Sequence, residues 1–269
     1  MYETLLIEKR GAVDWLTLNR PDKYNTMNET LTLELQDYFG RLYTDKGVRI
    51  VVMKGAGRGF CGGLDLSDRG DGDQAGGGGR RSVADGLRGQ RRISEIVMRM
   101  RKCPQPIIAL LHGGAAGGGF ALALASDIRI AGESTKMNAA FIRIGLSACD
   151  IGVSYFLPRL VGVSVASELM MTGRFIHADR ALRVGLVSEV VPDDALEQAV
   201  QPYLEEMLTT SPLGLRLTKE CLNMNVDAAS LEAAIAMEDR NQILCAQSED
   251  MKEGVAAFFE KRAPSYTDQ

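Results

Sequence analysis

Two glycine clusters, each directly following a short apolar run, constrain this chain more than any other feature. The first is Gly55-Ala56-Gly57-Arg58-Gly59-Phe60-Cys61-Gly62-Gly63-Leu64-Asp65-Leu66, after Ile50-Val51-Val52-Met53. The second is His112-Gly113-Gly114-Ala115-Ala116-Gly117-Gly118-Gly119, after Ile107 to Leu111. Both apolar runs read as buried strands. The second cluster opens into the apolar stretch Phe120 to Ala125, which reads as a helix. Glycine lets the main chain approach a ligand closely. The first N–H groups of a helix lack internal partners and carry its positive dipole end, where anionic oxygens bind. One more free N–H from the first cluster would complete a two-donor hole for an oxyanion. Tight turns and close strand–helix packing would use the same glycines, and the clusters alone do not separate the two uses.

Other fingerprints fail. Gly57, Gly59 and Gly62 satisfy GxGxxG after a strand, but no acidic residue ends a following strand at the distance a dinucleotide site needs. There is no GK[ST] and no GxSxG, which excludes a P-loop and argues against a nucleophile-elbow hydrolase.

Residues 3–9 and 12–18 read as strands around Gly11. Leu31, Leu35, Tyr38, Phe39 and Leu42 follow a helical period that Asn28 is placed to cap. Strands alternating with helices predict parallel βαβ units. Residues 67–92, with Gly76 to Gly79 and many charges, read as a mobile surface loop. From about Ala195 the chain reads as helical, with one stripe at Leu196, Val200, Tyr203, Leu204 and Met207. A second stripe runs through Met251, Val255, Phe258 and Phe259.

The composition narrows the partners. A net charge of −4 argues against nucleic acid, and no apolar run is long enough to span a membrane. Met1 to Arg10 has no signal-peptide pattern, so a cytoplasmic location is expected. Five scattered cysteines without a CxxC pair predict neither a disulfide framework nor a metal site. His112 and His177 are the two histidines, which excludes mechanisms that need several.

The stretches LNRPDKYNTMN (18–28), GRGFCGGLDL (57–66), HGGAAGGGFALALASDIRIA (112–131), FLPRLVG (156–162) and EGVAAFFEKRAPSY (253–266) resemble successive signatures of the enoyl-CoA hydratase/isomerase (crotonase) family, in family order. The resemblance covers roughly residues 3–266 and rests on the pair of glycine-rich signatures. It implies an α/β fold, a crotonase-like spiral of ββα turns with a helical C-terminal trimerisation region. Residues 1–195 would form the core with the CoA and oxyanion site, and 196–269 the helical region. It further implies an acyl-CoA thioester substrate, no separate cofactor because CoA is part of that substrate, and a homo-trimer or hexamer. By position the oxyanion donors are the N–H groups of Leu64 and Gly118. Lys23, Tyr24, Cys61, Gly62, Leu64, Asp65, Gly117, Gly118 and Phe141 become the candidate substrate contacts. Lys261 is a candidate for a CoA phosphate of an adjacent subunit. Against this, Lys23 would equally serve as a solvated surface lysine and Asp65 as a helix cap.

Hydratases of the family commonly use two glutamates. Here those positions hold Ala121 and Phe141, and an apolar side chain transfers no proton. Asp150 remains, in IGLSACDIGVSYFLPRLVG, where dienoyl-CoA isomerases and 4-chlorobenzoyl-CoA dehalogenases place a functional aspartate. The match to the isomerases needs a one-residue insertion here. The plain alternative is that Asp150 caps the helix that follows. Asp127 reads as structural, Glu133 as a surface turn, His112 as a packed, hydrogen-bonded histidine, and Cys149 as a small buried residue.

These readings predict an acyl-CoA enzyme that stabilises a thioester enolate and moves a proton through Asp150. Isomerisation is preferred, because one carboxylate can take and return a proton; hydration stays open. The rivals are a thioester hydrolase or dehalogenase-like enzyme with Asp150 as nucleophile, and a weakly catalytic CoA-ester binding protein.

Overall fold

The computed structural model describes residues 1–67 and 82–269. Its largest sheet grows from the alternation anticipated at the N-terminus. Strand β1 (Leu5–Arg10) pairs antiparallel with β2 (Val13–Leu18). Asn28 then caps helix α1 (Glu29–Arg41), its side chain accepting the Leu31 N–H at 2.9 Å. Strand β3 (Ile50–Gly55) lies parallel to β2, Val13 opposite Ile50. Helix α2 (Val83–Lys102) leads to β4 (Ile107–Leu111), which is parallel to β3.

Helix α2 corrects the reading of residues 67–92 as one loop. From Val83 onward the chain is helical, started by Ser82, whose Oγ accepts the Asp85 N–H at 3.1 Å. The sequence hid it because only Ile96, Val97 and Met100 are buried, all in its second half against α1. Residues 68–81, with Asp68, Asp71, Asp73 and Gly76 to Gly79, lie outside the described residues.

After β5 (Gly114–Ala116) come helix α3 (Gly118–Ala125), β6 (Ile128–Gly132) and β7 (Lys136–Asn138). Helix α4 (Val153–Thr172) is broken at Gly162, which has non-helical backbone angles. Then follow β8 (Ile176–His177), α5 (Ala178–Arg183) and β9 (Glu189–Val191). The six-stranded sheet runs β1-β2-β3-β4-β6-β9, parallel from β2 onward, and β5-β7-β8 form a smaller sheet.

Both faces of the large sheet are covered, which explains the continuous apolar runs in β3 and β4. One face presents Leu16, Leu18, Val51, Met53, Ile107, Ala109 and Leu111 to the main core with α1 to α4. The other presents Val13, Trp15, Ile50, Val52, Ile108, Leu110 and Ile130 to Leu196, Val200 and Leu204. These last residues belong to the helical stripe read from the sequence, on helices α6 (Leu196–Ala199) and α7 (Gln201–Leu208) with Val200 between.

Helices α8 (Pro212–Asn225), α9 (Leu231–Ala246) and α10 (Glu249–Glu260) complete the chain. Lys219 on α8 ties them to the core. Buried, its Nζ donates to the Gln105 carbonyl at 2.7 Å and pairs with Asp127 at 2.8 Å. Asp127 also accepts the Ile107 N–H at 2.8 Å, so it is structural. No helix among the described residues is long and apolar enough to cross a membrane.

Candidate active site

Strands β3 and β4 are adjacent and parallel, so the two glycine-rich turns leave the same edge of the sheet, at its carboxyl ends. Open parallel sheets bind ligands there. The turns are then stitched together. The Phe60 N–H donates to the His112 carbonyl at 2.9 Å, and the Cys61 N–H to Gly114 at 3.1 Å. The Ala116 N–H returns to Cys61 at 3.0 Å. Gly119 permits this closeness: a Cβ there would lie 2.1 Å from the Cys61 carbonyl oxygen.

The segment 20–27 clamps the first turn from the other side. Met27 donates to the Gly63 carbonyl at 2.7 Å and accepts from the Asp65 N–H at 3.0 Å. In this parallel bridge the N–H of the residue between, Leu64, points away from Met27. Gly63, with φ of 100°, steers it towards α3. A Cβ on Gly63 would lie 3.3 Å from the Gly118 nitrogen. Gly118 is the first residue of α3, after Gly117 as N-cap. Among the described residues, neither the Leu64 nor the Gly118 N–H donates to a protein acceptor. Leaving a donor unspent at a buried residue such as Gly118 costs on the order of 1–3 kcal/mol, so the pair calls for an explanation.

Asn25 is the organiser that the sequence reading missed. Fully buried, its side-chain amide donates to the carbonyls of Ala56, Gly59 and Phe60, while its Oδ1 accepts the Arg20 N–H. Its only sequence signal was its place at the end of the RPDKYN stretch.

The remaining candidates sort by exposure. Lys23 is exposed. Tyr24, also exposed, has φ of 50°, stacks under the Arg58 guanidinium at 4.4 Å and accepts the Gly62 N–H at 2.8 Å. Cys61 has no exposed surface, both its backbone groups are engaged, and its Sγ lies 3.1 Å from the Asn25 carbonyl oxygen. It shapes the turn from inside. Asp65 is engaged within its own turn and by Arg20, its Oδ1 accepting the Ser67 N–H at 3.1 Å while Oδ2 pairs with Arg20 at 3.0 Å. Burial would raise its pKa, but the Ser67 and Arg20 hydrogen bonds outweigh that and hold it below the usual range.

Ala121 is fully buried, and the Phe141 ring packs about 3.4 Å from where a Gly117 Cβ would stand. Both positions are therefore apolar wall. His112 bonds the Gly57 carbonyl at 2.9 Å, a structural role, and Glu133 is exposed in its turn. Cys149 is exposed, which corrects its reading as buried: residues 142–147 before it lie on the surface.

Asp150 does not cap α4. That helix begins after Gly152 with no side-chain cap, and the Val153 N–H goes to the Asp150 backbone carbonyl at 2.9 Å. The Asp150 carboxylate instead accepts the Ile151 N–H at 2.8 Å and a hydrogen bond from Gln90 on α2. The next side chain, Ile151, reaches to 3.5 Å from where a Gly118 Cβ would stand, beside the unspent donors. Beside them opens a cavity of about 720 Å³ between α1, α2 and the Leu64 turn, lined by Met27, Thr32, Leu64, Arg88, Gln90 and Ile93 among others.

The enoyl-CoA hydratase/isomerase family model matches residues 8–269. The chain belongs to that family. It is 40% identical to the probable enoyl-CoA hydratase EchA12 of Mycobacterium tuberculosis, over 98% of this chain and 92% of that protein. It is 35% identical to the 1,2-epoxyphenylacetyl-CoA isomerase of Escherichia coli, over 99% of each. The crystal structure of an enoyl-CoA hydratase from Bacillus anthracis superposes with a TM-score of 0.91 at 32% identity, covering 99% of this chain and 100% of that one. The fold is thus the crotonase fold, and the protein is an enzyme of the hydratase/isomerase type.

Proposed function

We propose that this enzyme isomerises the double bond of an acyl-CoA thioester through an enolate. The thioester carbonyl accepts hydrogen bonds from the Leu64 and Gly118 N–H groups, and Asp150 takes a proton from one carbon and returns it to another. The supporting observation is the pair of unspent donors, with the tied Asp150 next in the chain to the Ile151 that packs on Gly118, and with Ala121 and Phe141 apolar where hydratases carry glutamates. Donors aimed at the forming negative charge make the α-proton acidic. Hydration needs a second group to position water, so isomerisation comes first. The isomerase name of the Escherichia coli relative supports isomerase chemistry, and the hydratase name of the mycobacterial relative keeps hydration as the second reading. The resemblance further supports a homo-trimer or hexamer, with CoA entering beside Lys23, Tyr24 and Gly62 and no separate cofactor.

The test is turnover of a panel of enoyl-CoA esters in deuterated water, comparing the wild type with Asp150→Asn. Asn keeps the size of Asp and an oxygen that accepts hydrogen bonds, but accepts no proton at neutral pH. Isomerised, α-deuterated product from the wild type and a rate about 10²–10⁴-fold lower in the variant are expected, with CoA-ester binding retained. An unchanged rate returns the proton transfer to another group. A covalent acyl-aspartate in the mass spectrum shows a nucleophile instead, and tight binding without turnover shows a binding protein.

A further inference from the structure

We infer that Gln90 is a positioning residue that holds Asp150 in its working orientation; this rests on the proton-transfer reading above. Gln90 stands on α2, far from Asp150 in sequence, and its Nε2 donates to Asp150 Oδ1. The same oxygen takes the Ile151 N–H at 2.8 Å. Only the amide nitrogen of a glutamine donates, so a carboxylate partner fixes which way the Gln90 amide faces. Two donors from different elements converge on one oxygen of the carboxylate.

The backbone shows why such a tie is needed. Ile151 has φ of 47° and Gly152 of 82°. A β-branched residue in the left-handed region is strained and persists only where its surroundings hold it. Packing on the preceding chain is sparse, for residues 142–147 are exposed and Ile144 is 53% accessible. Asp150 therefore projects from a surface segment immediately before a strained turn. Ile151, only 4% exposed, anchors one side, and Gln90 ties the carboxylate itself to a helix of the core. Gln90 also lines the cavity together with Leu64, so the helix that shapes this cavity orients the acid as well. A neutral amide does this without adding charge beside the proton-transfer group. Small misplacements of a reacting group are costly: about 1 Å can lower a rate on the order of 10²-fold.

The experiment is a double-mutant cycle on the full-length enzyme, read as the rate of α-deuteration of an enoyl-CoA ester at saturation. Gln90→Leu removes the donor at similar size; Gln90→Glu keeps the shape but presents an acceptor. Each is expected to lower the rate about 10- to 100-fold, with the circular dichroism spectrum of the wild type. In the Asp150→Asn background the same substitutions are expected to change the residual rate by less than about twofold, since groups that act through one another are not additive. A structural or substrate-contact role gives multiplying losses instead and overturns the inference. Wild-type rates in both Gln90 variants, with Asp150→Asn slowed, also overturn it and leave the proton-transfer reading standing. An unchanged rate in Asp150→Asn alone removes that reading, and this inference with it.

Discussion

The Cys61 thiol lies inside the first glycine turn, and burial pushes its pKa up to about 12. Cys103 is also buried and raised by burial, whereas Cys149 is exposed. The thiolate is the reactive form, so the folded protein presents very different thiols. With an aromatic disulfide reagent at pH 8, Cys149 is expected to react promptly, and Cys61 and Cys103 only after denaturant is added. Peptide mapping reads this directly; early labelling of Cys61 would mean that the Asn25-clamped turn opens in the native state. The same burial has a pH consequence. The unfolded Cys61 loses its proton near the ordinary 9.0, while the folded thiol keeps it to about 12. Above pH 9 the folded state binds more protons, so this group's contribution to stability falls as pH rises through that window.

At the scale of the element, the N-terminus of α3 carries the sharpest test of the proposed oxyanion hole. Gly118 is its first helical residue, a position where proline is tolerated because the missing N–H has no helical partner. A Cβ there would meet the Met27 methyl carbon at 2.3 Å, a flexible end. Gly118→Ala therefore measures the steric cost with the donor kept, and Gly118→Pro adds loss of the donor. Proline is expected to cost about 10²–10³-fold more in kcat than alanine, with both folded by circular dichroism. Equal losses would place the oxyanion elsewhere. The glycine turns were legible in the sequence because their spacing after two apolar runs is a local pattern. Strands β2 to β4, the Asn28 cap and the Leu196 stripe were legible for the same reason. Helix α2 was not, because its first half buries little and contains Gly86 and Gly89. The Gln90–Asp150 tie was not, because a contact between residues on separate elements leaves no periodic trace. Nor were the short strands β5, β7 and β8, which take their pairing from the turn beside them.

At the scale of the whole molecule, the C-terminal helices leave apolar surface uncovered. Leu222, Met224, Val226, Leu231 and Ile243 are each at least 59% exposed, and Phe258 and Phe259 stand at 78% and 76%. The two rings stack edge to face with centroids 5.7 Å apart, next to the Lys261 cap of α10. Fully burying a side chain of this kind gains about 1.5–3 kcal/mol, so a symmetric assembly that covers them would be strongly favoured. The proposed trimer or hexamer predicts a light-scattering mass of three or six times 29.2 kDa at micromolar concentration. Phe258→Glu together with Phe259→Glu should shift that mass towards the single chain and make the melting temperature concentration-dependent. If Lys261 meets the CoA of a neighbour, the dissociated variant should also bind CoA esters more weakly although Leu64, Gly118 and Asp150 are untouched. A wild-type protein that scatters as a single chain would refute the assembly and leave those aromatic side chains without a partner of this kind.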